Sequence, residues 1–370
     1  MRTALIHRPL VAISLVVLSV GAGVARQSTS SPNPKPTGGR GLTEVQGLKV
    51  GSFTFSERPT GCTVILVDGE GVPGGVSQRG AAPATAETDL LDPLNMVDRV
   101  NAVVLSGGSA FGLETRYGVM RYLEERKIGW KVPTGVVPIV PQASLFDLSV
   151  GTRPDVRPDA ECGYRAAGTA STAPVAEGNV GAGAGGTIGK MGGGRLMMKG
   201  GLGSTAITLP NGLAVAAIVA TNGAGDVIDP TTGAVVAGVR TPDGKGLADV
   251  RKLLLSGELV KAAQPRGGEN TTIGLVATNA RLTKTEINRV ALMADDGLAR
   301  AINPSHTTGD GDTVFALATG RWEGQASVTV IGALAAEALA EAVVRAVSKA
   351  DSVAGIPSAR ELGTVPARLK

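Results

Sequence analysis

The chain has 370 residues, 53 of them Gly, with 43% hydrophobic and only 3% aromatic residues. This excludes general disorder and asks for a core of Ala, Val, Leu and Ile, with close backbone approach where Gly is dense. The formal charge of +4 sits at the N-terminus. Residues 1–40 carry Arg2, Arg8, Arg26, Lys35 and Arg40 and no acid, and removing those five from 36 basic residues leaves 31 against 32 acidic ones, a net of −1 for 41–370. Nucleic-acid binding thereby loses its electrostatic basis. Two His (His7, His306) and two Cys (Cys62, Cys162) cannot build a His- or Cys-rich metal site, although a carboxylate-only site stays open.

Arg2 and Arg8 flank the start of a short apolar run, Leu10 to Val20, and Gly23-Val24-Ala25 supplies a small-x-small cleavage site. Residues 1–25 therefore read as a secretory signal peptide, with an apolar run too short for a comfortable membrane span. Residues 26–41, rich in Ser, Pro, Gly and Thr, read as a flexible linker. The expectation is an exported chain, periplasmic or secreted, free of the membrane once the leader is removed. In such a chain Cys62 and Cys162 form either one disulfide or two buried thiols. No linker interrupts residues 42–370, which read as a single domain.

Along that domain, short apolar runs alternate with Gly/Pro punctuation. Cys62–Val67 reads as a strand turning at Asp68-Gly69, and Ala102–Leu105 as another before Ser106-Gly107-Gly108-Ser109. Phe111–Glu125 has helical spacing at Leu113, Val119, Met120 and Leu123. Val136–Val140 is strand-like but broken by Pro138, and Val175–Val180 is a weak strand. Leu213–Thr221, Thr272–Thr278 and Thr313–Thr319 are nearly continuous apolar runs, as expected of strands buried on both faces. Lys284–Ala301 reads as a helix, Ala326–Val330 as a last core strand, and Ala333–Lys349 as a closing amphipathic helix. Buried strands alternating with helices predict α/β layers.

The segment Gly181-Ala182-Gly183-Ala184-Gly185-Gly186-Thr187-Ile188-Gly189-Lys190 contains a GxGxxG match. A dinucleotide turn must open a helix, yet Gly192-Gly193-Gly194 follows and propagates a helix poorly. A P-loop fares no better, with Ala184 in place of its first Gly and Met191 in place of the Ser or Thr that holds magnesium. The segment reads as a Gly-rich loop whose one reactive amine is Lys190, and no cofactor is expected. His306 is the only His beyond the leader, so a Ser-His-Asp triad would need it. A GxSxG elbow is absent, with Ser109 in GGSAFG instead, and a lone His near a turn reads as solvated.

Glu269-Asn270-Thr271-Thr272-Ile273 runs from a polar turn into a buried strand. An Asn-Thr junction of this kind starts strands in many proteins. It also fits self-cleavage, in which a Thr hydroxyl attacks the preceding carbonyl and leaves a new N-terminal Thr. The freed α-amino group, with a pKa near ~8, then serves as general base without any His.

ENTTIGLVATNARLTK, MADDGLARAI and HTTGDGDTVFALATG resemble segments of nylon-oligomer (6-aminohexanoate-oligomer) hydrolases. These belong to the DmpA-type L-aminopeptidase/D-amidase family of self-processing N-terminal-nucleophile hydrolases. GAAPATAETDLL, VLSGGSAFGL, VPIVPQASLFDL, GNVGAGAGGTIGK, KGGLGS and ATNGAGDVIDPTTGAVVAGVR extend the resemblance over nearly the whole chain beyond the leader. It implies a four-layer αββα sandwich, scission between Asn270 and Thr271 into an α and a β chain, and Thr271 as nucleophile and amine base. It further implies Asn222 in the oxyanion hole, Lys190 near the nucleophile, and Asp310 and Asp312 as the carboxylates that orient it. Without the resemblance those two Asp read as a turn before a strand. Ser109 is a weaker candidate for the substrate pocket. The expected activity is aminopeptidase or amidase action on short peptides or amino-acid amides, with an endo-acting nylon-oligomer-type hydrolase as the alternative. An unprocessed, non-catalytic binding protein is the alternative of another class. The resemblance also implies that the chains associate as a homo-oligomer, a tetramer or larger.

Overall fold

The computed structural model describes Met1, residues 39–261 and residues 269–370. All of the expected leader (1–25) except Met1, and most of the expected linker (26–41), lie outside the described residues. The principal elements in chain order are β1 (Leu48–Thr54), β2 (Gly61–Val67), β3 (Gly74–Gln78), β4 (Ala102–Ser106), α1 (Thr115–Glu124), β5 (Gln142–Ser144) and α2 (Ala160–Thr169). They continue with β6 (Gly201–Thr208), β7 (Ala214–Thr221), β8 (Ile273–Thr278), α3 (Lys284–Ala301), β9 (Thr313–Ala318) and α4 (Val328–Lys349).

Two five-stranded sheets result. The first runs β1-β2-β4-β5 and ends on the short strand Thr85–Ala86; the second runs β6-β7-β8-β9-β3. Because side chains alternate across a strand, each core strand feeds two different interiors. In β2, Ile65 and Val67 face the other sheet while Cys62, Val64 and Leu66 face α1 and α2. In β9, Phe315 and Leu317 join the inter-sheet core while Val314, Ala316 and Ala318 face α3 and α4. The layers are therefore helix, sheet, sheet, helix, and this is the αββα sandwich. Helices approach the sheets closely where Gly permits it: a β-carbon on Gly203 of β6 would lie 2.1 Å from the Ala342 carbonyl oxygen of α4.

Several runs fold otherwise than their local pattern indicates. Ala326–Val330 is not a strand. Helix α4 begins at Val328, with Ser327 Oγ accepting from Val330 N–H at 3.3 Å. An apolar run of this length cannot separate a buried strand from a buried helix, and α4 is buried on most of its circumference. Val175–Val180 forms only an isolated bridge, Gly178 to Leu202. The Phe111–Glu125 helix starts as a 3-10 turn and becomes α-helical at Thr115. The strand at Gly135–Val137 stops before Pro138, which has no N–H to donate. Cys62 of β2 and Cys162 of α2 form a disulfide that ties the first sheet to its helices.

One register places the site. β8 and β9 run parallel with Ile273 opposite Thr313, and an isolated parallel bridge extends the pairing to Asn270 and Asp310. On the other side β7 pairs antiparallel with β8, Ala220 opposite Ile273. Continued by two residues, that ladder sets Asn222 against Thr271.

Candidate active site

Three chain segments meet at the head of β8. The first is Asn270-Thr271-Thr272 itself. Thr271 is 3% exposed and Asn270 1% exposed, so this junction is closed to solvent while the chain is intact. Thr271 N–H donates to the Asn222 carbonyl oxygen at 2.9 Å. Thr271 Oγ1 lies 2.5 Å from the carbonyl oxygen of Asn270, and the same oxygen accepts the Gly311 N–H at 2.9 Å. The hydroxyl thus lies against the carbonyl that precedes it, and a backbone donor already polarises that carbonyl. A β-carbon on Gly311 would lie 2.9 Å from Thr271 Oγ1 and 2.6 Å from the Ala82 carbonyl oxygen, so only Gly fits here.

The second segment is the Gly-rich loop with Asn222. Lys190 Nζ donates to Asn222 Oδ1 at 2.8 Å, to the Asn222 carbonyl oxygen at 3.0 Å and to the Thr187 carbonyl oxygen at 3.3 Å. Asn222 Oδ1 also accepts from Thr187 N–H and Oγ1 at 3.0 and 3.2 Å. Asn222 Nδ2 donates to the Phe146 carbonyl oxygen at 2.9 Å and reaches the Glu269 carbonyl oxygen at 3.5 Å. Burial pushes the Lys190 amine down to about 7, against the opposing pull of Asp310, Glu269, Asp312 and Asp147. Gly189, left-handed at φ +80° and packed on the Gly238 backbone, turns the loop so that Lys190 points inward.

The third segment is His306–Asp312. Asp312 Oδ1 accepts the Thr272 N–H at 2.7 Å, and its Oδ2 accepts the His306 N–H at 3.1 Å. Asp310 Oδ2 accepts the Thr307 N–H at 2.7 Å, whereas its Oδ1 is buried with no hydrogen-bond partner. Burial and the neighbouring Asp312 raise the Asp310 carboxyl to about 6, against its bond to Thr307 and the charge of Lys190.

The structure therefore brings Asn270, Thr271, Asn222, Lys190, Asp310 and Asp312 to one place. Ser109 stands apart. Its N–H bonds the Leu145 carbonyl oxygen, and among the described residues no hydrogen bond joins its side chain to Thr271, Asn222 or Lys190. The backbone donor of Gly311 escapes sequence reading because nothing in GDGD shows where its amide points. His306 is half-buried between carboxylates, not solvated as its isolated position implies. No group of three or more His, Cys, Asp or Glu residues arranged to hold a metal ion occurs among the described residues.

The model of peptidase family S58 matches residues 40–360. The chain belongs to peptidase family S58. It is 43% identical over 352 residues to an uncharacterised aminopeptidase of Mycobacterium leprae, covering 86% of this chain and 92% of that one. It is 30% identical over 314 residues to a 6-aminohexanoate-oligomer endohydrolase of Kocuria sp., covering 81% and 84%. Among solved structures it superposes on the L-aminopeptidase D-Ala-esterase/amidase of Ochrobactrum anthropi with a TM-score of 0.63 at 17% identity, covering 88% of this chain and 95% of that one. That protein is described as a variant of the N-terminal-nucleophile hydrolase fold. As a member of S58, the chain is a hydrolase of the peptide-bond class.

Proposed function

We propose that this S58 peptidase cuts its own backbone between Asn270 and Thr271, and that the freed Thr271 then hydrolyses amide bonds of short peptides or amino-acid amides. The observation that carries the reading is the placement of Thr271 Oγ1 2.5 Å from the Asn270 carbonyl oxygen, which Gly311 N–H holds from the other side at 2.9 Å. In the first step Oγ1 adds to the Asn270 carbonyl carbon, and the oxyanion rests on Gly311 N–H. The peptide C–N bond then breaks, the Thr271 nitrogen takes up a proton, and an ester joins the two chains. Water hydrolyses the ester, leaving a carboxylate on Asn270 and restoring the threonine hydroxyl. Asp310, whose Oδ1 has no partner, is the acceptor assigned to the hydroxyl proton.

In turnover the new α-amino group takes the proton from Oγ1 and returns it to the leaving amine. It stays where the Thr271 N–H sits now, on the Asn222 carbonyl. The Asn222 amide, spent on Phe146 and Glu269 in the intact chain, becomes a further oxyanion donor once residues 269 and 270 withdraw. Both chains stay together because β7 and β8, on opposite sides of the cut, are paired in one sheet.

Intact-mass measurement with N-terminal sequencing of the purified protein tests the reading. Two chains are expected, the second beginning Thr-Thr-Ile-Gly; one active full-length species overturns the mechanism, and one inactive species favours a binding protein. The Kocuria relative supports an endo-acting alternative. Aminoacyl p-nitroanilides tried beside linear 6-aminohexanoate oligomers separate the two.

A further inference from the structure

One ring beside the site has no part in the steps above. His306 has a backbone φ of +54°, a left-handed conformation uncommon in residues with a β-carbon. Asp312 braces it. A single oxygen, Oδ2, accepts the His306 N–H at 3.1 Å and lies 3.0 Å from the ring Nδ1. The other oxygen of that carboxylate accepts the Thr272 N–H, one residue past the proposed nucleophile.

On its far side the ring faces Asp295 of α3. His306 Nε2 stands 3.6 Å from Asp295 Oδ1, and both atoms are buried without a hydrogen-bond partner. Asp295 is fixed from β3, where Ser77 Oγ donates to its Oδ2 at 2.6 Å, and Arg79 Nε approaches the same oxygen at 3.6 Å. Arg79 also pairs with Asp296 at 2.9 Å. The charged groups facing the ring are thus Asp295, Asp312 and Arg79, with Asp310 beyond Asp312.

We propose that His306 is a positioning residue for the reaction at Thr271: bridging Asp295 and Asp312, it clamps the Asp312 carboxylate onto the Thr272 N–H and so holds the nucleophile in register. The inference rests on the reading of Thr271 as nucleophile. A protonated imidazole donates at both nitrogens, so it can serve both carboxylates at once. A neutral ring that donates from Nδ1 presents a lone pair to Asp295 and is repelled. Burial opposes the charge, but the bond to Asp312 and the two carboxylates outweigh it and raise the ring above its usual 6.5.

The test follows processing of the freshly translated full chain on denaturing gels across pH about 6 to 9, the range in which a raised imidazole titrates. His306→Ala is expected to slow the cut about ten- to a hundredfold, the loss of one charge-assisted bond to a positioning group. His306→Asn keeps a donor near the Nδ1 position and tolerates the left-handed backbone. It should restore most of the rate at neutral pH while lacking the decline that the wild type shows as its ring deprotonates. Asp295→Asn should move that decline to lower pH. Wild-type rate and pH profile in both His306 variants overturn the inference. If Thr271→Ala stays uncut in the same assay, only the role of His306 falls; if it is cut, the nucleophile assignment falls and takes this one with it. Should His306→Ala melt before assay, the profiles of His306→Asn and Asp295→Asn decide.

Discussion

Asn222 and Thr271 face each other two residues beyond the last pair of the β7–β8 ladder, with Thr271 N–H 2.9 Å from the Asn222 carbonyl oxygen. Lys190 Nζ donates to that same oxygen at 3.0 Å. One carbonyl therefore holds both the nitrogen that scission would free and the buried amine beside it. Any charge on Lys190 would disfavour a second charge on the new α-amine and so favour its unprotonated, basic form.

Thr271→Ala removes the hydroxyl and is expected to give a full-length, inactive chain. Thr271→Ser keeps a primary hydroxyl in place and should still be cut. Intact mass and turnover of an amide substrate check both, and an active Ala variant refutes the assignment.

Lys190→Met leaves two acceptors of Asn222 without their amine donor. At about 0.5–1.5 kcal/mol for each bond, processing should slow by about tenfold. Gel-based processing kinetics measure it. A wild-type rate would remove Lys190 from the site.

Asp312→Asn replaces the acceptor of the Thr272 N–H and of His306 with a neutral amide. The expected cost is about 2–4 kcal/mol of stability together with the loss of processing. Melting in a Thr271→Ala background, where cutting cannot confuse the comparison, gives the first number.

Lys199 supplies a pH test away from the centre. Its Nζ donates to the Gly183 and Gly186 carbonyl oxygens at 2.9 Å each, and burial lowers its amine from 10.5 to about 7. Between those values the unfolded chain carries a proton that the folded chain lacks, so stability should rise as pH rises from about 7 toward 10.5. Lys199→Met should show a shallower rise. An unchanged slope in thermal melts would contradict the buried, neutral amine.

The disulfide joins residues 100 apart in sequence. Closing a loop of that length is worth up to about 4.7 kcal/mol in the chain-entropy model. Cys62→Ala with Cys162→Ala should therefore lower the melting temperature markedly, and reduction of the wild type should reproduce the loss.

Local pattern alone marked the strands that carry the core. The runs that became β2, β7, β8 and β9 are β-rich and apolar on both faces, and in α3 the capping residue Thr283 and Glu286 form a capping box. Their signals lie in neighbouring residues, where period and propensity act. The Asn270-Thr271 junction and the amine of Lys190 in its Gly-rich loop also stood out locally, whereas the roles of Asn222, Asp310 and Asp312 came only from the resemblance to the hydrolase family. β1, β3, β5, β6 and α2 were not legible. β6 is broken by Gly and Ser, whose small size suits a close helix above them and disguises the strand below.

What the residues determined unaided is a Gly-rich, Ala/Val-built domain of α/β layers with an Asn-Thr junction at the mouth of a buried strand. Which groups surround that junction was decided only in three dimensions. The parallel register of β8 on β9 delivers the Gly311 N–H to the Asn270 carbonyl, and Asp312 turns a solitary histidine inward against Asp295. The first is a backbone hydrogen bond that any residue type can make, and the second brings together side chains of separate elements, so the residue order carries no mark of either.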